Sequence, residues 1–210
     1  MRLNFIYQVT MLSFYQLKPY FQQSLHGIVS CLARLGVTAN QITLLVLLLS
    51  TVVGTVLFYA PNHLLLWRIL PIFLFVRMAL NAIDGMLAKQ KNQQSALGGL
   101  LNEVGDLISD VALFLPFTVL PSANIWLLFA AILLAWMTEF VGVCAVMVGS
   151  NRRYDGPMGK SDRAFVIGVC ALLFGFGLIP AAALNYVWCA LCVLLVITVL
   201  NRACKALKSC

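Results

Sequence analysis

Carboxylate, amide and small side chains recur between residues 81 and 110, where two apolar stretches meet. The set comprises Asn81, Asp84, Gly85, Ala88, Lys89, Gly98, Asn102, Glu103, Asp106 and Asp110. Oxygen ligands of this kind suit Mg²⁺ or Mn²⁺, which proteins usually bind through a few carboxylates together with substrate phosphates. Clustered carboxylates also repel one another unless a cation holds them. The residue types therefore indicate a metal-dependent phosphate site.

The remainder of the chain is too apolar for a soluble protein. Of its 210 residues, 62% are hydrophobic and 10% are charged, whereas soluble domains have about 25% charged residues. Apolar stretches of about 20 residues have the length that crosses a bilayer as a helix. We therefore predict one all-α, polytopic membrane domain over 1–210, with a six-helix bundle over 42–200. The predicted spans are 42–60, 64–80, 97–120, 125–148, 164–178 and 182–200.

The distribution of polar residues adds an N-terminal element and an orientation. Residues 12–36 have the three- and four-residue spacing of an amphipathic helix, and we favour an interfacial helix over a loosely ordered leader. No cleavable signal is evident, and translation starts at Met1 or Met11. By the positive-inside rule, both termini and the acidic site face the cytoplasm. The net charge of +7 then reflects topology and attraction to anionic membrane lipids, without a nucleic-acid partner.

Helical spacing puts the polar set on one face of each of two spans. Members of the set lie three, four and seven positions after Asn81, and others recur at every fourth position from Gly98 to Asp110. Polar groups inside a membrane turn toward the protein interior, so we expect the two faces to meet. Taken alone, Asp84 is also consistent with a bend in its helix, and Gly98 is also consistent with close helix packing. Matching faces on consecutive helices favour a shared site.

The same residues resemble the signature of the CDP-alcohol phosphatidyltransferase family. Its usual form is DxxDGxxAR, eight residues, then GxxxDxxxD, and the spacing here matches without a gap. Residues 38–43 (TANQIT) are similar to the family's opening of the first span, and residues 159–163 (GKSDR) resemble its basic stretch before the fifth. The resemblance implies a six-helix membrane enzyme in which an acceptor hydroxyl attacks a CDP-alcohol and CMP is released. Relatives in the family suggest a homodimer.

The resemblance also implies roles for individual residues. The usual donor is CDP-diacylglycerol, and the family's metal positions correspond to Asn81, Asp84 and Asn102. Asp106 corresponds to the residue that helps to hold metal and is the proposed base for the acceptor hydroxyl. The remaining matches concern substrate: Gly85, Ala88 and Gly98 line the nucleotide, Lys89 replaces a phosphate-binding arginine, and Lys160 and Arg163 resemble basic residues near the acceptor.

Two departures from the signature remove negative charge from the metal site. Asn81 and Asn102 stand where the family has aspartate, and an amide oxygen can ligate Mg²⁺ but carries no charge. Lys89 also lacks the bidentate fork of arginine. We expect Glu103 and Asp110 to compensate by drawing the metal cluster toward themselves. A site with a single metal, or with none, is the alternative.

Two charged features lie outside the signature. Glu139, in the middle of the fourth predicted span, is expected to pair with Arg77 or to face the acceptor cavity. The loop from Arg152 to Arg163 is either a cluster that orients the chain in the membrane or a shaped turn that presents Lys160 and Arg163 to a phosphate on the acceptor side. We favour the second interpretation.

Three classes of function fit these observations. The first is a transferase of phospholipid biosynthesis in the bacterial inner membrane. The second is a degenerate family member that binds nucleotide or lipid as a scaffold, which Asn81 and Asn102 favour. The third is a transporter, which predicts a charged site near the midplane between repeated, broken helices. The sequence has no evident internal repeat, and the transferase is favoured.

Overall fold

The structure, a computed structural model, describes residues 18–90 and 93–208, which form helices and connecting turns without a strand. The α-helices of the described residues are α1 (Lys18–Arg34), α2 (Ala39–Tyr59), α3 (Leu64–Gln90), α4 (Ala96–Phe114), α5 (Ile125–Cys144), α6 (Lys160–Gly175) and α7 (Leu184–Lys208). Short 3-10 turns follow α4 and α5 and precede α7. The all-helical prediction is confirmed for these residues.

Four helical segments are long and apolar enough to cross a membrane. They are Ala39–Tyr59, Leu64–Gln90, Ile125–Val148 and Ala181–Lys208. Helix α4 has 19 residues but carries three carboxylates, and α6 has only 16 residues. The chain is thus a multi-pass membrane protein, while the count of six spans stays a prediction. The carboxylates of the candidate site are the reason that α4 falls short in hydropathy.

Helix α1 covers the start of the bundle. Of the predicted interfacial helix, residues 12–17 lie outside the described residues, and α1 occupies the rest up to Arg34. Leu25 and Val29 are buried against apolar residues of α2 and α3, whereas Ile28 is exposed. An apolar face therefore exists on α1, and its position in the membrane interface stays a prediction.

Helices α2 and α4 lie side by side and run in the same direction. Gly98 near the start of α4 contacts Asn40 near the start of α2, where an added Cβ would lie 2.9 Å from the Asn40 amide oxygen. Towards the other end, a Cβ on Gly54 would collide with the backbone carbonyl of Ala112. Gly54 therefore allows a close backbone approach near the far ends of α2 and α4, and Gly98 leaves room for the Asn40 side chain at their beginnings.

Helix α6 runs antiparallel to α3. Gly168 of α6 lies beside Pro71, where an added Cβ would be 3.6 Å from the proline Cβ, and Gly175 lies beside the carbonyl of Leu64. The ends of α3, α5 and α7 consequently meet the beginnings of α4 and α6. We call this region the charged end of the bundle.

The opposite end of the bundle is aromatic. Trp67 and Phe117 meet edge to face with ring centroids 4.8 Å apart, and Phe117 and Trp188 meet in the same way at 5.0 Å. A cleft of about 350 Å³ opens nearby, lined by residues such as Pro61, Pro121 and Pro180, and its described lining contains no charged side chain. A phosphate site is therefore expected at the charged end instead.

Candidate active site

Two buried aspartates from neighbouring helices form the centre of the charged end. Asp84 of α3 is 5% exposed and Asp106 of α4 is 8% exposed. Asn81, one helical turn before Asp84 on α3, contacts Asp106, which brings both aspartates to one site. Thr43 of α2 donates a hydrogen bond of 2.9 Å from Oγ1 to Oδ2 of Asp84. The predicted meeting of the two polar faces is thus observed at these residues.

Asn81 lies between the aspartates and carries one of the departures from the family signature. Its Nδ2 donates a hydrogen bond of 2.9 Å to Oδ1 of Asp106. An aspartate at position 81 could only repel Asp106 at this distance unless a cation lay between the two carboxylates. The amide therefore stabilises Asp106 in the absence of a metal ion.

Lys160 approaches Asp106 from the opposite side. It is the first residue of α6, before the apolar part of that helix, and its Nζ lies 2.8 Å from Oδ2 of Asp106. The same ammonium is 3.6 Å from Glu103 and 3.9 Å from Glu139. Burial by itself would lower the pKa of Lys160, but the neighbouring carboxylates, above all that of Asp106, hold this pKa above its usual value. Lys160 is therefore a cation of the site.

Asp110 lies one helical turn deeper and is held between two arginines. Nη2 of Arg77 is 2.9 Å from its Oδ1, and Nη2 of Arg163 is 2.9 Å from its Oδ2. Arg163 is only 1% exposed and also lies 3.2 Å from Glu139. Arg163 thus connects α4, α5 and α6 behind the Asp84 and Asp106 pair, which places it away from a surface where it could first meet a phosphate.

Glu139 is the most heavily paired carboxylate among the described residues. Its partners are Arg152 at 3.5 Å, Lys160 at 3.9 Å, Arg163 at 3.2 Å and Arg202 at 3.5 Å. Arg77 pairs with Asp110 instead, so the predicted pairing of Glu139 with Arg77 was wrong, and the alternative, a position of Glu139 facing the acceptor cavity, stays a prediction. Arg77 lies 3.7 Å from Asp106 as well, which leaves it on the α4 side of the cluster.

Arg152 and Arg202 belong to the charged end, although the sequence analysis named neither of them as a site residue. Arg152 makes a two-pronged contact with both oxygens of Glu103. Arg202, on the last helix, donates to the carbonyl of Thr138 and pairs with Glu139. A buried acid on α5 was the available signal that later helices must bring cations to it.

The other residues predicted for the site differ in their burial and in their contacts. Gly85 has open space where a Cβ would lie, which is compatible with a ligand, and Ala88 is half-buried on the same face. Lys89 is exposed at the end of α3, and Asn102 is half-buried one turn before Asp106. Gly98 instead makes the close contact with α2, so its role in lining a nucleotide stays a prediction beside an observed packing role.

The residue types of the site are compatible with one divalent cation that would be completed by substrate phosphates. Asp84 and Asp106 would supply carboxylates and Asn81 and Asn102 amide oxygens, with Nδ2 as the Asn81 atom that faces Asp106. Over residues 18–90 and 93–208, no group of three His, Cys, Asp or Glu side chains is arranged to hold a metal by itself. The oxygens of Glu103 and Asp110 are directed to arginines. Their predicted role as metal ligands stays a prediction, and their contacts favour a role as counter-ions.

Comparison of the sequence with known proteins finds a matching family and similar membrane proteins and enzymes. The family profile described as CDP-alcohol phosphatidyltransferase matches residues 36–200. The chain is 44% identical over 191 residues to inner membrane protein YnbA of Escherichia coli (strain K12), which covers 91% of this chain and 94% of that protein. It is 27% identical over 157 residues to archaetidylinositol phosphate synthase of Pyrococcus horikoshii, with 75% and 81% coverage.

A solved structure shares the fold. Phosphatidylinositol phosphate synthase of Mycobacterium tuberculosis, crystallised in complex with manganese and citrate, superposes on this chain with a TM-score of 0.69. The two sequences are 21% identical, and the match covers 86% of this chain and 87% of the other. The bundle described above is therefore an established helical architecture.

Proposed function

Because the chain belongs to the CDP-alcohol phosphatidyltransferase family, we propose that it transfers the substituted phosphate of a CDP-alcohol, with CDP-diacylglycerol as the first candidate, to an acceptor hydroxyl. The observation that carries this proposal is the buried pair of Asp84 and Asp106, surrounded by cations at one end of a membrane bundle. Phosphoryl transfer needs positioned charge more than covalent help from the protein, and this site supplies it.

The reaction assigns distinct work to the residues of the pair. The acceptor oxygen bonds to the phosphorus that carries the lipid, the bond from this phosphorus to the CMP oxygen breaks, and CMP leaves. Asp106 accepts the proton of the acceptor hydroxyl, as a base within hydrogen-bond reach must. A divalent ion, Mg²⁺ or Mn²⁺, held by Asp84, Asp106 and the amide oxygens of Asn81 and Asn102, would neutralise the charge of the diphosphate.

Helix packing supports six membrane spans with the site at the cytoplasmic end. Helix α4 runs parallel to α2 from Gly98 to Ala112, so it lies at the depth of a helix that is long enough to cross. Its carboxylates are paired with arginines, which removes the main penalty against membrane insertion. The basic residues at the charged end support a cytoplasmic position for it, and the relative named as an inner membrane protein supports a bacterial inner membrane.

A binding role without catalysis is the second candidate, and the ion pairs of Asp106 favour it. Both of its oxygens already have partners, Asn81 and Lys160, so the carboxylate is satisfied without a metal. In that case the protein would hold a CDP-lipid at the membrane as a scaffold.

Release of CMP separates the two candidates. Purified protein is incubated with radiolabelled CDP-diacylglycerol, Mg²⁺ or Mn²⁺ and a panel of alcohol acceptors. The transferase predicts CMP release that depends on an acceptor and is lost in Asp84→Asn. The matched control is Asp155→Asn, since Asp155 pairs with Lys205 outside the site. Binding of CDP-diacylglycerol without CMP under every condition would leave the scaffold.

A further inference from the structure

The ammonium of Lys160 is paired with the carboxylate of Asp106, which the proposed reaction requires as its base. Nζ of Lys160 lies 2.8 Å from Oδ2 of Asp106, while Nδ2 of Asn81 lies 2.9 Å from Oδ1. A divalent ion on Oδ2 would be brought against the ammonium, and two cations a few ångströms apart in a buried site repel strongly. Metal binding at Asp106 and the observed position of Lys160 are therefore in competition.

The network of charges around Asp106 is electrically balanced by protein groups alone. Among the described residues, five carboxylates and five cations form this network: Asp84, Glu103, Asp106, Asp110 and Glu139, with Arg77, Arg152, Lys160, Arg163 and Arg202. A divalent ion alone would leave a net positive charge in a largely buried site, which is unfavourable. The two charged phosphates of a CDP-alcohol would restore the balance. The charges thus favour the ion together with the diphosphate over the ion alone.

Lys160 also has two alternative carboxylate partners within reach. Its ammonium is already 3.6 Å from Oε2 of Glu103 and 3.9 Å from Oε2 of Glu139. Its side chain is 30% exposed, unlike that of Arg163 at 1%. A small rotation of a flexible lysine therefore exchanges Asp106 for another carboxylate without leaving the ammonium unpaired.

We propose that Lys160 is an internal counter-cation of Asp106, and that a divalent ion replaces it there only when the diphosphate of the donor binds with the ion. The inference rests on the proposed function. Lys160 is a positioning residue in this scheme: it holds Asp106 in place before the ion and the donor bind, and it makes binding of metal and binding of donor mutually dependent. Such coupling is reciprocal, so the donor and the ion each raise the affinity for the other.

Mn²⁺ binding measured by electron paramagnetic resonance tests the proposal. The full chain in detergent is titrated with Mn²⁺, with and without CDP-glycerol as a soluble CDP-alcohol, against blanks that lack protein. For the wild type we expect CDP-glycerol to tighten Mn²⁺ binding by about tenfold or more, which is about 1.4 kcal/mol. Lys160→Met is expected to bind Mn²⁺ about tenfold more tightly than the wild type without CDP-glycerol, and to lose most of the effect of CDP-glycerol.

Lys205→Met is the matched control, because Lys205 pairs with Asp155 outside the site. It is expected to behave as the wild type. An unchanged Mn²⁺ affinity in Lys160→Met would overturn the proposal. So would a wild type that binds CDP-glycerol while its Mn²⁺ affinity stays the same, a result that needs no variant. Failure of all three proteins to bind either CDP-glycerol or CDP-diacylglycerol would reject the proposed function, and the inference with it.

Discussion

The two ends of the bundle are built from the same helices but are held together by different forces. Helix α3 contributes Trp67 to the aromatic end and Arg77 to the charged end, and both side chains are buried. The rings around Trp67 pack edge to face, whereas Arg77 is held by carboxylates of α4. Apolar packing has no obligatory partners, but a buried charge must meet its counter-ion. The ion pairs of the charged end therefore specify which helices are neighbours, whereas the rings of the aromatic end pack without such specific partners.

The largest effect is expected at the base of the proposed reaction. Asp106→Asn keeps the size of the side chain but removes the proton acceptor, and we expect CMP release to fall by about 10²- to 10⁴-fold. We expect a moderate loss of thermal stability, because Lys160 keeps Glu103 and Glu139 as partners, and Arg77 keeps Asp110, when the charge of Asp106 is removed. Retained CMP release in this variant would show that the charged end is structural, like the aromatic end.

A large loss of stability is expected behind the pair. Arg163→Met removes the buried cation shared by Asp110 and Glu139, which leaves Asp110 with Arg77 alone and Glu139 with Arg152, Lys160 and Arg202. Removing one partner of a buried ion pair typically costs about 3–5 kcal/mol, and we expect a loss near the lower end because both carboxylates keep a cation. The free energy of unfolding in mixed detergent micelles measures this. Arg68→Met is the matched control, since Arg68 at the opposite end donates to the carbonyl of Gly175 and faces no carboxylate among its described partners. Equal losses in the two variants would erase the distinction between the ends.

Asp110→Asn decides between the two roles considered for this carboxylate. As a counter-ion of Arg77 and Arg163, its loss should lower the free energy of unfolding while Mn²⁺ affinity in the presence of CDP-glycerol stays within about threefold of the wild type, a difference below about 1 kcal/mol. As a metal ligand, its loss should abolish Mn²⁺ binding. Mn²⁺ titration of the folded fraction reads the two outcomes separately.

The smallest effect is expected in the apolar core at the aromatic end. Leu113 is fully buried there, and Leu113→Met conserves volume, so the expected cost is below about 1.5 kcal/mol. Differential scanning calorimetry of the detergent-solubilised protein tests this. A loss as large as that of Arg163→Met would mean that the aromatic end specifies the fold as strictly as the ion pairs do.

The sequence was sufficient for the parts that depend on spacing along one helix. The polar faces around Asp84 and Asp106 follow from helical periodicity, and they meet as predicted. Pairing between helices was not predictable in the same way, because Arg77 and Arg202 are both cations within reach of a bundle interior. Only the packing of α4, α5 and α7 assigns Arg77 to Asp110 and Arg202 to Glu139. The packing role of Gly98 was not predictable either, because a small residue leaves space equally well for a ligand or for a neighbouring helix.

The order of the charges along the chain has a consequence for biosynthesis. All five carboxylates of the network around Asp106 precede residue 140, but four of its five cations follow residue 150. A ribosome therefore delivers the acids to the membrane first, with Arg77 alone to accompany them. Glu139 receives Arg202 only when α7 is almost complete. The nascent protein must accordingly keep its acidic helices close to water, or to a translocation partner, until its C-terminal third arrives.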